Sequence, residues 1–278
     1  MSGSPPGSSV FADVGNGMRL HARVAGAGPP LLLLHGFTGS SLTWNELAER
    51  LSPRMTTIAV DLPGHGLSSA PRDVWHFRLD RLADSLVRLL RSLNIGKTAV
   101  LGYSMGGRAA LQLALRHGSS VSALVLESAS PGIANIAERE ARRRADADLA
   151  EFIEREGVKA FVERWEALPL WSSQESLPDA RRMQLRAQRL CNQAAGLANS
   201  LRGAGAGELP SVAGELSSLR MNTLLIAGEL DPRYVEFAQE MQNAVAHAEL
   251  RVLPEAGHAA HLERFDAYAE TVEEFLVR

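Results

Sequence analysis

A serine set among glycines, Gly102-Tyr103-Ser104-Met105-Gly106-Gly107, stands between a short apolar run at 98–101 and a helix-patterned run at 105–116. The pattern G-x-S-x-G is short enough to arise by chance, but between a strand and a helix it has a mechanical meaning. A serine at so sharp a turn sits in strained backbone, and only small neighbours let strand and helix pass closely. The helix start then aims backbone N–H groups at the serine oxygen and at negative charge developing beside it.

The rest of the chain repeats the same kind of unit. Further short apolar runs bounded by turn residues lie at 31–34, 56–60, 121–126, 223–227 and 249–253. Their length and flanking glycines favour buried strands. Helical periodicity fills the gaps at 42–51, 80–93, 233–246 and 266–277. At the front, 11–14 and 18–24 flank Gly15-Asn16-Gly17, whose residues tolerate positive φ and so predict a hairpin. An opening antiparallel pair followed by alternating strands and helices predicts an α/β fold with a mostly parallel sheet covered on both faces.

One stretch breaks this rhythm. Residues 133–219 are charged and helix-like, with candidate helices at 134–157, 158–167, 178–193 and 195–201 and a glycine-rich breaker at 203–207. Because core strands resume afterwards, the stretch reads as a helical lid inserted over the strand ends, where open α/β sheets place their sites. The expected organisation is a disordered tail at 1–9, a core at 10–132 and 220–278, and a lid at 133–219. The formal charge of −3 gives no reason to expect nucleic acid or an anionic membrane as partner. No apolar run approaches the roughly 20 residues that span a bilayer, and residues 1–9 lack the basic and apolar regions of a signal peptide. A cytoplasmic protein, monomeric or a small homo-oligomer, is therefore expected. The single cysteine, Cys191, excludes an intramolecular disulfide and a cysteine-based metal site; it is expected half-buried on a helix. No metal or cofactor is expected.

A serine needs a base to become reactive near neutral pH, and histidine titrates in the right range. His258, in Gly257-His258 just past the last strand, is the candidate, with His261 one helical turn on as its rival. On an elbow of this kind the acid falls between serine and histidine in the chain. Asp231, in Gly228-Glu229-Leu230-Asp231-Pro232, fits, with Glu229 and Glu127 as rivals. Its task is to fix the imidazole tautomer and stabilise the imidazolium. His35-Gly36-Phe37 ends the third strand, so the amides of Phe37 and Met105 are the candidate oxyanion hole. His35, Asp61 and His65 read as loop scaffolding.

HGF, DLPGHG, GYSMGG, GELD and AGH in this order resemble the α/β-hydrolase superfamily over nearly the whole chain. A narrower resemblance lies in the lid and its borders: Arg108 directly after the elbow, Ser128-Ala129-Ser130-Pro131-Gly132, Glu138-Arg139-Glu140-Ala141-Arg142, Phe161 to Trp171, Gln188-Arg189-Leu190-Cys191-Asn192 and Leu197 to Gly205. These resemble the 2-succinyl-6-hydroxy-2,4-cyclohexadiene-1-carboxylate synthases of menaquinone biosynthesis. The resemblance implies a lyase that eliminates pyruvate from 2-succinyl-5-enolpyruvyl-6-hydroxy-3-cyclohexene-1-carboxylate. It implies Arg108, Arg142 and Arg189 as substrate-binding arginines and Tyr103 and Trp165 as pocket-lining residues. A small polycarboxylate suits that set, since guanidinium forks match carboxylates. Against it, residues 138–202 hold eleven arginines and eleven acidic residues, so many of these arginines belong to solvated or paired helix faces. Positions Ala204, Ala206 and Val212 depart from the family pattern. A serine hydrolase, cleaving an ester or a carbon–carbon bond of a small anionic substrate, is the alternative that the same three residues allow. A ligand receptor with a vestigial site is a further one. A Rossmann enzyme is disfavoured because the first strand–helix turn lacks G-x-G-x-x-G.

Overall fold

A computed structural model describes residues 7–277. The chain opens with the antiparallel pair β1 (Ser8–Asp13) and β2 (Arg19–Ala25), and continues through β3 (Pro30–Leu34), β4 (Thr56–Val60), β5 (Thr98–Tyr103), β6 (Val121–Glu127), β7 (Asn222–Gly228) and β8 (Ala248–Leu253). They form one sheet in the order β1-β2-β4-β3-β5-β6-β7-β8. From β4 onward every neighbouring pair is parallel. Of the tail expected at 1–9, Ser8 and Ser9 instead pair with Val24 and Arg23 in β1, and residues 1–6 lie outside the described residues.

Strand periodicity divides the interior in two. Leu32 and Leu34 of β3, Val100 of β5 and Leu225 of β7 point to one core, and Leu31, Leu33, Leu101, Leu224 and Ile226 to the other. Helices α2 (Leu79–Ser92), α3 (Met105–Arg116) and α7 (Pro232–Ala244) cover the first face through Leu82, Leu86, Ala109, Leu113 and Met241. Helices α1 (Asn45–Leu51) and α9 (Phe265–Leu276), with the one-turn α8 (Ala260–Glu263), cover the second through Leu47, Leu51, Tyr268 and Val272. Because both faces are dry, the strands read as continuous apolar runs rather than alternating ones.

The insertion between β6 and β7 is helical: α4 (Ile136–Glu166), a 3-10 stretch (Pro169–Ser176), α5 (Asp179–Leu190) and α6 (Ala194–Ala204). Gly157 interrupts α4 with φ 82° and ψ 171°, a conformation only glycine adopts easily, and so bends it where the sequence predicts two helices. The lid has its own small core of Ala150, Ile153, Phe161, Val162, Leu197 and Leu201. Its two ends meet in an isolated bridge between Ile133 and Pro210. Helix α6 runs to Ala204, past the start of the expected glycine breaker, because Gly203 packs flush on Phe77. Cys191 is not half-buried on a helix; it caps α5 and is exposed.

Candidate active site

The elbow carries the expected strain. Ser104 has φ 52° and ψ −110°, a conformation costing a side-chain-bearing residue about 1–3 kcal/mol. Two hydrogen bonds hold it: its amide donates to Glu127 O (2.8 Å), and its carbonyl accepts from the Arg108 amide (3.0 Å). A Cβ on Gly106 would overlap the carbonyls of Leu34 and His35, and one on Gly102 would overlap Gly106 itself. The strained turn therefore exists only with glycine at these crossings.

The ends of β5, β7 and β8 bring three side chains together. His258 donates from Nδ1 to Asp231 Oδ2 (2.7 Å) and accepts the Ser104 hydroxyl at Nε2 (3.0 Å). The carboxylate thereby selects the tautomer whose Nε2 lone pair faces the serine. His258 and Asp231 are buried. The Asp231 loop is fixed by its own backbone, with the Leu230 amide on Ala256 O (2.8 Å) and the Asp231 amide on Gly228 O (3.0 Å). Three rings surround the imidazole: Tyr234 at 4.5 Å, Tyr103 at 5.5 Å and Trp171 at 5.6 Å between centroids.

The rival acid and base are spent on each other. Glu127 Oε1 accepts from both the amide (3.0 Å) and Nδ1 (2.8 Å) of His261, and the pair is buried behind Tyr103. Glu229 turns away to accept the Glu255 amide (3.1 Å). His35 joins two loops, donating from Nδ1 to Gly36 O (2.7 Å) and accepting the Leu62 amide at Nε2 (3.0 Å). Burial, with His35 beside it, pulls the His65 imidazole down to about 3, so it stays neutral. A second Ser–His–Asp chain also exists: His21 contacts Ser9 Oγ at 2.7 Å and Asp61 Oδ2 at 2.7 Å. There the serine lies in the edge strand β1 rather than at a helix start, and Asp61 also ties down the amides of Ser41 and Leu67. That chain fastens loops and lacks the donors that a nucleophile needs.

The amides of Phe37 and Met105 have no acceptor among the described residues. Phe37 joins the core to the lid: its ring meets Trp165 at 5.4 Å and Phe161 at 5.9 Å, and Trp165 meets Trp171 at 5.6 Å. An aromatic chain thus runs from the β3 loop through the lid to His258. The Ser200 hydroxyl donates to Met105 Sδ (3.3 Å), pinning α6 over the elbow. The Nε1 atoms of Trp165 and Trp171 are buried with no acceptor among the described residues.

The three arginines differ. Arg108 is half-buried and has no ion pair or hydrogen bond through its guanidinium among the described residues; burial lowers its pKa, opposed by Tyr234 and Asp146 nearby. Arg142 is exposed and donates to Asp146 (2.9 Å). Arg189 is buried, paired with Glu166 (3.0 Å) and Gln174 (3.3 Å), and its guanidinium lies over Trp171 at 5.4 Å. Burial raises the Tyr103 phenol well above its usual range. Trp171 and Tyr234, whose rings meet His258, are not among the site residues expected from the sequence. Tyr234 had a signal, since it stands three residues after Asp231 and so returns to the same side of the helix start. Among the described residues no cluster of three or more His, Cys, Asp or Glu side chains is arranged to hold a metal ion, and no helix is long and apolar enough to cross a membrane.

The family pattern described as alpha/beta hydrolase fold matches residues 29–265. A putative 2-succinyl-6-hydroxy-2,4-cyclohexadiene-1-carboxylate synthase of Bacillus subtilis is 39% identical over 272 residues, covering 96% of this chain and 98% of that protein. The Escherichia coli O157:H7 synthase of that name is 33% identical over 249 residues, 88% of this chain and 94% of its own. The solved structure of MenH from S. aureus superposes with a TM-score of 0.88 at 33% identity, covering 92% of this chain and 97% of that one.

Proposed function

This chain belongs to the alpha/beta hydrolase fold family, and within it to the 2-succinyl-6-hydroxy-2,4-cyclohexadiene-1-carboxylate synthases, and on that premise we propose that it is a carbon–oxygen lyase eliminating pyruvate from 2-succinyl-5-enolpyruvyl-6-hydroxy-3-cyclohexene-1-carboxylate. One observation carries the reading beyond the fold: a half-buried, unpaired Arg108 beside the hydrogen-bonded Ser104, His258 and Asp231. A half-buried guanidinium with no partner among the described residues is a ready fork for an incoming anion. A polycarboxylate supplies that anion. Arg142 and Arg189 would take further carboxylates, loosening their present contacts to Asp146 and Glu166, with Tyr103 and Trp165 lining the space.

In this reading His258 takes the Ser104 proton and Asp231 stabilises the imidazolium. The Ser104 oxygen removes the acidic ring proton, and no acyl-enzyme forms. Charge spreads onto a substrate oxygen held by the Phe37 and Met105 amides. The bond from ring carbon to enolpyruvyl oxygen breaks, the ring gains its second double bond, and the departing enolate takes up a proton to become pyruvate. The test is to supply the enolpyruvyl substrate and follow pyruvate with a coupled dehydrogenase. Release well above that of Ser104→Ala is expected; release equal to that control would reject the reading. The free Phe37 and Met105 amides also suit a tetrahedral intermediate, which keeps a serine hydrolase as the second reading. Faster turnover of small aryl esters than of the enolpyruvyl substrate would favour it.

A further inference from the structure

Among the described residues nothing binds the phenol of Tyr234. It stands in the first turn of α7, where its amide donates to the carbonyl of Asp231 (3.0 Å). Its ring meets the His258 imidazole edge to face at 4.5 Å, the nearest of the three rings around that base, and is backed by Phe237 at 5.7 Å. The side chain is half-buried, and its hydroxyl has no hydrogen-bond partner among the described residues. Arg108 is equally without a partner, and both it and Arg142 lie close enough for their charges to act on the phenol. Two donors therefore stand beside the Ser104–His258 pair with no acceptor among the described residues. Neither donor is taken up by another described residue, so both are free to meet an acceptor that arrives with the ligand.

We propose that Tyr234 is a further catalytic residue, whose hydroxyl donates to the leaving enolpyruvyl oxygen while Arg108 holds the carboxylate of the same arm. The inference rests on the lyase reading above and deepens it. The chemistry of the arm fits two adjacent donors. An α-carboxy enol ether carries its ether oxygen and its carboxylate on one carbon, so both acceptors present themselves side by side. As the carbon–oxygen bond breaks, the electron pair goes to the ether oxygen, and a hydrogen bond to that atom strengthens as charge builds. Burial keeps the phenol protonated above its usual range, although Arg108 and Arg142 oppose the shift. Tyr234 thus remains a donor throughout and gives up no proton. The proton taken from the ring by Ser104 and His258 balances the one that pyruvate gains at its methylene carbon.

The experiment compares pyruvate release by the wild-type chain, Tyr234→Phe and Phe237→Leu. Tyr234→Phe keeps the ring on His258 and removes only the hydroxyl. A fall in kcat of about ten- to hundredfold with KM within about threefold is expected, because the bond matters most in the transition state. Phe237→Leu disturbs the same packing without touching the hydroxyl and should leave kcat unchanged. If Tyr234→Phe stays within twofold of wild type in kcat, changes KM alone, or is matched by Phe237→Leu, the inference is overturned while the lyase reading stands. If the wild-type chain releases no pyruvate, both fall together.

Discussion

Two acid–base pairs lie side by side behind Ser104, and their difference is a matter of where each histidine can reach. His258 spans Asp231 and Ser104, whereas His261 presents Nδ1 to Glu127 and leaves Nε2 buried with no partner among the described residues. The two carboxylates should then answer differently to loss of charge. Asp231→Asn should cut kcat for pyruvate release by about 10²–10⁴, because the amide no longer enforces the useful tautomer. Glu127→Gln should leave kcat within a few-fold yet lower the stability to urea by about 1–3 kcal/mol, since it weakens a buried pair. The reverse pattern would assign the acid to Glu127. Arg108 is the other residue-scale test. Arg108→Gln should raise KM about tenfold or more, as expected for loss of a charge-assisted contact, and equal KM values in steady-state assays would show that its charge meets no substrate.

At the scale of elements, the lid is a bent helix pair fastened at several points. Arg181 forks onto Glu46 (2.5 and 2.6 Å), Asn192 Nδ2 donates to Thr38 O (2.8 Å), and Asn199 Nδ2 donates to Pro71 O (3.1 Å). These contacts tie α5 and α6 to the core loops. The first half of α4, which carries Arg142, depends on the bend at Gly157. A Cβ there meets nothing within 4 Å, so the cost of a side chain is purely conformational. Gly157→Ala should destabilise the chain by about 1–3 kcal/mol and raise KM by shifting α4. Thermal melts and steady-state kinetics check both, and an unchanged melting temperature would mean the bend carries no constraint. The bend is legible in the sequence as a break between 157 and 158, because only glycine there permits the required φ. The starts of β1 and the end of α6 were less legible: Ser8, Ser9 and Gly203 have weak local preferences, and pairing with β2 and packing on Phe77 settle them.

For the molecule as a whole, buried neutral histidines make stability depend on pH. His35 and His65 are both fully buried and held below the value of about 6.5 to which they return on unfolding. The unfolded chain therefore binds protons that the folded chain refuses. The stability this confers is complete above pH 6.5 and is lost as the pH falls toward about 3, the His65 value. Asp61, also held low by its amide donors, adds loss in the same direction at the acid end. The slope should approach about 1.4 kcal/mol per pH unit for each such histidine. Urea midpoints measured from pH 7.5 to pH 5 should decline, and a flat profile would contradict the neutral burial of the pair.

The alternation of apolar runs and helical periods, the glycine-crossed serine turn and the chain order of Ser104, Asp231 and His258 were determined by residues acting on their immediate neighbours. Backbone conformation is local, so spacing and small side chains suffice to state it. Which guanidinium stays unpaired was a different kind of question. Arg108, Arg142 and Arg189 look alike in the sequence, yet Asp146 and Glu166 occupy two of them and leave the third without an ion pair among the described residues. Partnership of that kind is decided by how the lid seats on the sheet, through contacts such as Gln188 with Ser40, separated by 148 residues. No local pattern encodes them, because each depends on the whole chain arriving in one place.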